Sequence, residues 1–223
     1  MEKVIIVISA HPDDETLGLA GTLLRHKKEK DKVYWIIGTE ISTDYGYSVE
    51  QVEIRHQEIN KVASQYGFKG LFNLKHFTTT LTDGDIPILI QKITGIFNKL
   101  KPEIVYLPNR SDTHSDHRIL FDATFSCTKS FRHKYIKQLL MYECISETEF
   151  APALPEKMFI PNYFIDISDY IEQKIKIMEI YKSELGKHPF PRSIENIKAL
   201  AHFRGAIAGV AYAEAFQLLK YIR

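Results

Sequence analysis

Residues 3–9 read KVIIVIS, and residues 10–15 read AHPDDE. After Lys3 the first stretch is apolar and β-branched, the pattern of a strand buried on both faces. The second stretch packs one histidine and three carboxylates into six positions directly behind it. In open α/β sheets, ligands bind outside the carboxyl ends of strands. A buried strand that ends in this much charge therefore predicts both the fold class and the place to look for chemistry.

The pattern downstream repeats this unit. Leu17, Ala20, Leu23 and Leu24 fall at helical spacing within 15–29. KVYWIIGTE (32–40) reads as a second strand. Ser48 and Gln51 form a capping-box signature, and Val52, Ile59, Val62, Ala63 and Tyr66 make the apolar stripe of the helix behind it. A short strand is predicted near 71–75, then a helix with Asp85 as N-cap that stops before Pro102. EIVYLP (103–108) is another buried strand. A helix follows His114, and QLLMYE (138–143) is a further strand. Strands alternating with helices predict an α/β fold, with a mostly parallel sheet and helices on both faces. In the last third, YFIDIS (163–168) reads as a final strand. Ser168 is the predicted cap of a helix running to about Leu185, and Ser193 that of a long helix to near Lys220, with KHPFPRS (187–193) between them. AYAEAF (211–216) is placed on that last helix, suited to close packing or a subunit contact.

Length and composition narrow the function. The 223 residues suit one domain spanning 1–223, with no repeat, low-complexity tract or long linker. Hydrophobic residues make up 44% and charged residues 26%, as in globular proteins. A net charge of +1 argues against a nucleic-acid partner or a membrane surface. No stretch approaches the roughly 20 apolar residues of a membrane span, and no signal peptide is evident. Cys127 and Cys144 are too few for a disulfide framework, which favours reduced thiols and a cytoplasmic location.

NRSDTHSDH (109–117) lies at the carboxyl end of the EIVYLP strand, as HPDD does for the first strand. Together the two loops offer His11, Asp13, Asp14, His114, Asp116 and His117. Two imidazoles and a carboxylate can hold Zn²⁺ and leave a fourth position for water. His11 and Asp14, three apart on a turn stiffened by Pro12, can face one ion. Asp13 then points elsewhere and can serve as general base. Of His114 and His117, one can bind metal while the other faces substrate, and Asp116 can fix an imidazole tautomer. The expected chemistry is metal-assisted hydrolysis of a polarised carbonyl. Either cluster alone also fits a plain Asp-capped helix start; two at equivalent strand ends favour the metal site.

These motifs resemble a known family. AHPDDETLGLAGTL and LPNRSDTHSDHR are similar to the two signatures of the PIG-L/LmbE-like N-acetylglucosaminyl deacetylases. FIPNYFIDIS, KHPFPRS and FRGAIAGVAYAEAF resemble later segments of bacterial members, including those near the bacillithiol-pathway deacetylases. The resemblance implies a Rossmann-like three-layer sandwich and a zinc site made of His11, Asp14 and His117. It implies Asp13 as general base, and His114 as oxyanion stabiliser or acid, supported by Asp116. It also implies a substrate contact from Arg55, in an R-x-x-E pattern with Glu58. Some members carry a tyrosine before the second histidine motif; here Asp112 stands two residues before His114. His188 and Arg192 either rim the pocket and bind substrate or belong to a proline-fixed helix entry.

The remaining histidines (His26, His56, His76, His133 and His202) lack a partner at ligand spacing and read as structural. Glu143 reads as a pocket carboxylate or a turn residue, and Phe121, Phe125 and Phe131 as core. The expected function is removal of an acetyl group from an N-acetylglucosamine-type sugar, with Zn²⁺ or Fe²⁺ as cofactor, no nucleic-acid partner, and homo-oligomers as in related proteins. The alternatives are a deacylase of another small N-acyl compound, a two-metal phosphoesterase, or a non-catalytic metal-binding protein.

Overall fold

A computed structural model describes residues 2–223. Its centre is one seven-stranded sheet of order β3-β2-β1-β4-β5-β7-β6. The strands are β1 (Val4–Ser9), β2 (Lys32–Glu40), β3 (Gly70–Phe77), β4 (Ile104–Pro108), β5 (Gln138–Tyr142), β6 (Tyr163–Asp166) and β7 (Ala213–Tyr221). The helices are α1 (Asp14–Lys28), α2 (Val49–Tyr66), α3 (Ile86–Leu100), α4 (Ser115–Ser126), α5 (Ile171–Met178) and α6 (Ile194–Ala208). The first five strands are parallel, while β7 runs antiparallel to both β5 and β6.

The apolar run of β1 explains its central place. Side chains alternate across a strand, so Ile5 and Val7 enter one core while Ile6 and Ile8 enter the other. The first core takes α1, α2, α5 and α6, and the second takes α3 and α4. Each buried isoleucine contributes about 1.5–3 kcal/mol of hydrophobic stabilisation, which no solvent-facing register of the strand could match. The chain winds from β1 out to β3, then returns to lay β4 on the other side of β1. That reversal is a topological switch point, where the loops leaving β1 and β4 diverge and open a crevice.

α2 begins as its capping box predicts: Ser48 Oγ accepts from Gln51 N–H, and Gln51 accepts from Ser48 N–H. Gly18 lets α1 lie close on the sheet, since a Cβ there would meet Tyr142 at 2.4 Å and the Glu143 carbonyl oxygen at 2.9 Å. α1 is kinked at Leu19 (φ −148°, ψ 27°). The amides of Gly21 and Thr22 just beyond the kink are taken by the buried Glu214 carboxylate, at 2.9 and 2.8 Å. Lys174 Nζ neutralises that carboxylate at 2.8 Å.

The last third departs from the expected helices. Ser168 does not cap α5; its hydroxyl bonds Asp166 at 2.6 Å, and the helix starts only at Ile171. α5 ends at Met178 rather than near Leu185, because Tyr181 leaves helical geometry with its hydroxyl on Glu15. Ser193 does cap α6, but that helix stops at Ala208, where Gly209 takes the left-handed conformation (φ 73°) that ends helices. Residues 213–221 are therefore strand β7, not helix, and AYAEAF enters the sheet from Ala213 onward instead of lying on a helical subunit face. The open edges of β5 and β6 supply backbone partners that outweigh the helix propensity of Ala, Glu, Leu and Lys. Asp85 is the N-cap residue of α3, as expected, but its carboxylate accepts from Thr82 N–H and Oγ1–H rather than from the helix amides. Among the described residues, no helix is long and apolar enough to cross a membrane.

Candidate functional site

Both polar loops sit at the switch point. α1 starts where the backbone turns sharply at Asp13 (φ 146°, ψ −29°), a left-handed conformation rare for a side-chain-bearing residue. Such a conformation costs about 1–3 kcal/mol. Glu15 accepts the Asp13 amide at 3.1 Å, and the Asp13 carbonyl accepts the amides of Thr16 and Leu17. The turn thereby separates two neighbouring carboxylates. Asp14 is directed at His117, and Asp13 at Arg192.

Asp14 Oδ1 lies 3.3 Å from His117 Nε2, His117 Nε2 lies 3.3 Å from His11 Nδ1, and His11 Nδ1 lies 4.0 Å from Asp14 Oδ2. Four donors at about 2.0–2.1 Å around a tetrahedral zinc stand roughly 3.3–3.4 Å from each other. Two of these separations match such an ion and the third, to the other Asp14 oxygen, is longer; one donor atom from each residue lies within 4.8 Å of the others, close enough to share an ion. The opposite ring nitrogens are already engaged: His117 Nδ1 with Asp112 at 2.9 Å, and His11 Nε2 with Asp116 at 3.1 Å. With those N–H groups donated to carboxylates, the lone pairs of both rings face Asp14, as metal-ligating histidines require. Asp116 is itself fixed by the amides of Thr79 and Leu81.

The electrostatics favour a cation at this point. Burial opposes ionisation of Asp14, but the charges and hydrogen bonds of His117 and His11 overcome it and hold the carboxyl well below its usual range. Burial also opposes a charge on His117, yet Asp14 and Asp112 keep its proton affinity high. A metal ion takes the place of that proton when it binds. Burial, with help from Asp14, pushes the Cys144 thiol up, so it remains a thiol that donates to Asp14 at 3.4 Å. The donor set suits zinc or ferrous iron. By contrast, the His26–Asp31 cluster at the other edge of the sheet has no free ring nitrogen, since His26 bonds Asp31 and Tyr106.

His114 is the N-cap of α4, and its Nδ1 accepts the Asp116 amide at 3.1 Å. This assigns the ring proton to Nε2. Burial, then the neighbouring His11, pull its pKa down to about 4, so the imidazole is neutral near pH 7. The Asp116 carboxylate thus serves His11, while its backbone serves His114. Asp13 is pushed up by burial and by Asp14, with Arg192 opposing.

A cavity of about 550 Å³ opens over these groups. Arg55 and Arg192 both line it. Arg55 donates to the Pro12 carbonyl at 2.8 Å and pairs with Glu58 at 3.2 Å. Arg192 donates to Asp13 at 2.9 Å. Glu184 joins the two arginines, one oxygen on each. His188 is exposed and lies outside the cavity lining. Glu143 is not a pocket carboxylate; it pairs with Arg204 at 2.7 and 2.8 Å. Phe121 is core, but Phe125 and Phe131 are 47% and 71% exposed, because α4 ends at Ser126 and Phe131 lies in the loop beyond it. Three functional neighbours escaped sequence reading: Asp112, Glu15 and Glu184. Asp112 had a usable signal, a carboxylate five residues before His117 on the same turn. Glu184 had none, because it lies in a stretch that reads as helix.

The chain is 24% identical over 232 aligned residues to diacetylchitobiose deacetylase of Thermococcus kodakarensis, covering 97% of this chain and 83% of that one. It is 28% identical over 126 residues to a probable N-acetyl-alpha-D-glucosaminyl L-malate deacetylase 2 of Bacillus cereus, covering 52% and 57%. The solved N,N'-diacetylchitobiose deacetylase of Pyrococcus horikoshii superposes with a TM-score of 0.77 at 22% identity, over 98% of this chain and 84% of that one, which shows a shared fold. The family model described as PIG-L, GlcNAc-PI de-N-acetylase, matches residues 6–128, more than half of the chain and the whole of both histidine motifs. With β4, most of β1 and their two loops inside that match, the protein belongs to the PIG-L family.

Proposed function

We propose that the protein is a metal-dependent hydrolase that removes the acetyl group from an N-acetylglucosamine-type sugar or its conjugate. The observation that carries this is the split at the Asp13 turn. Three donors converge for one ion, while a second carboxylate is held apart from them in the same cavity. A protein that only stored metal would have no use for the strained turn that separates them.

A zinc or ferrous ion held by His11, Asp14 and His117 would supply Lewis acidity toward water and the amide carbonyl. Asp13 takes a proton from the attacking water and passes it to the departing amine nitrogen, giving acetate and a free amino sugar. His114, with its proton on Nε2, donates a hydrogen bond to the carbonyl oxygen as charge develops there. Asp116 orients His11, Asp112 orients His117, and Arg192 holds the Asp13 carboxylate in place. A second group of close donors at the cavity, His11, His114 and Asp116, shares His11 with the first, which supports one ion there and disfavours the two-metal phosphoesterase. Two free, buried cysteines support the cytoplasmic assignment.

The test is acetate release by metal-loaded protein from N-acetylglucosaminyl compounds, compared with Asp13→Asn. The variant should keep its metal by elemental analysis and lose about 10²–10⁴-fold in kcat. Wild-type turnover by Asp13→Asn would remove Asp13 from the role of base.

A further inference from the structure

The wall of the cavity carries information about charge that the floor does not. Arg55 and Arg192 are the basic groups that could meet an anionic substituent on the sugar. Both already face carboxylates, although the buried Nε of Arg192 has no partner of its own. Arg55 distributes its guanidinium over the Pro12 carbonyl, Ser183, Glu58 and Glu184. Arg192 spends Nη1 on Asp13 and Glu184, at 2.9 and 3.0 Å. Glu184 is the shared element, with Oε1 on Arg55 and Oε2 on Arg192. The remaining cation of the lining, Lys182, is exposed at the mouth, where water and salt screen it. An incoming phosphate or carboxylate would have to displace Glu184 from two guanidinium groups or lie against its negative charge. Either is unfavourable, since like charges brought together at a binding surface cost several kcal/mol.

Apart from the two arginines and Lys182, the lining offers carboxylates, Glu58 and Glu147 among them, and apolar groups. Ile41, Tyr47 and Ile54 present apolar and aromatic surface toward the same space. Such a surface matches the C–H face of a sugar ring. A pocket of about 550 Å³ also has room beyond one acetamido sugar.

We propose that the group attached to the acetamido sugar is uncharged, a neutral sugar or short neutral oligosaccharide, and that Glu184 sets this preference by occupying Arg55 and Arg192. This rests on the deacetylase reading above and narrows its substrate class. The alternative class bears a carboxylate, phosphate or nucleotide on the same position.

The experiment compares kcat/KM for acetate release from N,N'-diacetylchitobiose, which is neutral, with that from N-acetylglucosaminyl malate and N-acetylglucosamine 1-phosphate. It uses metal-loaded wild type and Glu184→Gln, which keeps the shape and removes the charge. Wild type should favour the neutral substrate by about tenfold or more, and Glu184→Gln should move the anionic-to-neutral ratio upward by about tenfold. The ratio is the readout because a general loss of activity in the variant cancels from it. A wild-type preference for either anion overturns the proposal without help from any variant. An unchanged ratio in a folded Glu184→Gln overturns the role of Glu184. If no compound releases acetate while metal is bound, the deacetylase reading has failed instead. Calorimetric binding of the same three compounds to the holoprotein then decides the charge preference. Neutral-only binding supports it; anion binding, or none at all, overturns it.

Discussion

The first five strands and the last two belong to one sheet but are built by different rules. β1 to β5 are parallel and joined by crossovers, and the segments after β1 and β4 carry the ligand donors, in a loop and in the first turns of α1 and α4. β6 and β7 pair antiparallel at one edge, and the segment between them supplies no donor to the metal cluster. It supplies Glu184 and Arg192, which reach back across the sheet to the cavity. Chemistry is thus set locally, by where a strand stops, while the cavity wall depends on how distant segments dock.

The junction between the two regions is where a single change should have the largest effect. Lys174 of α5 is buried, with Nζ on the Leu17 carbonyl at 2.7 Å and on Glu214 of β7 at 2.8 Å. Glu214 in turn holds the kinked middle of α1, the helix that begins with Asp14. Lys174→Met leaves a buried carboxylate without its counter-charge, which costs about 3–5 kcal/mol. Urea unfolding should show that loss. The double variant Lys174→Met/Glu214→Gln should recover part of it, since contacting residues are not additive. Simple addition of the two losses would mean that the pair does not join the regions as described.

The next effect tests whether the parallel region carries the metal site by itself. Asp112 touches His117 at 2.9 Å, and among the described residues its hydrogen-bond partners, Asn109, His117, Arg118 and Thr148, all lie before β6. Asp112→Asn removes the charge that orients the ring and should weaken metal binding by about 10–100-fold. The global unfolding midpoint of the metal-free protein should move far less than in Lys174→Met. Competition with a chelating dye measures the first and urea titration the second. An unchanged metal affinity would show that His117 needs no such partner.

The same contrast explains what could be read in the sequence. β1, β2, β4 and the capped start of α2 announce themselves because period, capping box and apolar run lie within one window. The six residues of the two polar loops were found because β1 and β4 are neighbours in the usual order of such sheets. The C-terminal strand was not, because AEAFQLLKY carries helix-forming residues and becomes strand only through edges made by residues 138–142 and 163–166. Gly209 was the local sign that the helix stops. Glu184 was invisible for a similar reason: its partners lie 8 and 129 residues away. Asp116 was legible as a partner for an imidazole, but which imidazole depended on the depth at which α4 starts.

The smallest effect concerns the second His–Asp cluster, at the opposite edge of the parallel region. Asp31 accepts from the Lys3 amide at 2.9 Å and bonds His26 Nδ1 at 2.8 Å, while His26 Nε2 meets the Tyr106 hydroxyl at 2.9 Å. It thus ties the end of α1 to the start of β1 and the middle of β4, and none of its residues lines the cavity. Burial opposes the charge on Asp31, but the bonds from His26 and the Lys3 amide overcome it and hold the carboxyl below its ordinary value. A carboxyl with a lowered folded-state pKa binds fewer protons folded than unfolded. Its stabilisation is therefore fully present above the ordinary aspartate value, near 4, and is lost as pH falls through the folded value. Wild type should exceed Asp31→Asn in stability by a constant amount between pH 6 and pH 8, on the order of a single charged hydrogen bond. The gap should close as urea titrations are repeated below about pH 4. Metal affinity and turnover should not change, because every ring nitrogen of this cluster is already occupied. A gap that widened in acid would mean that Asp31 is held by burial as a neutral acid, unlike the ionised Asp14 at the cavity.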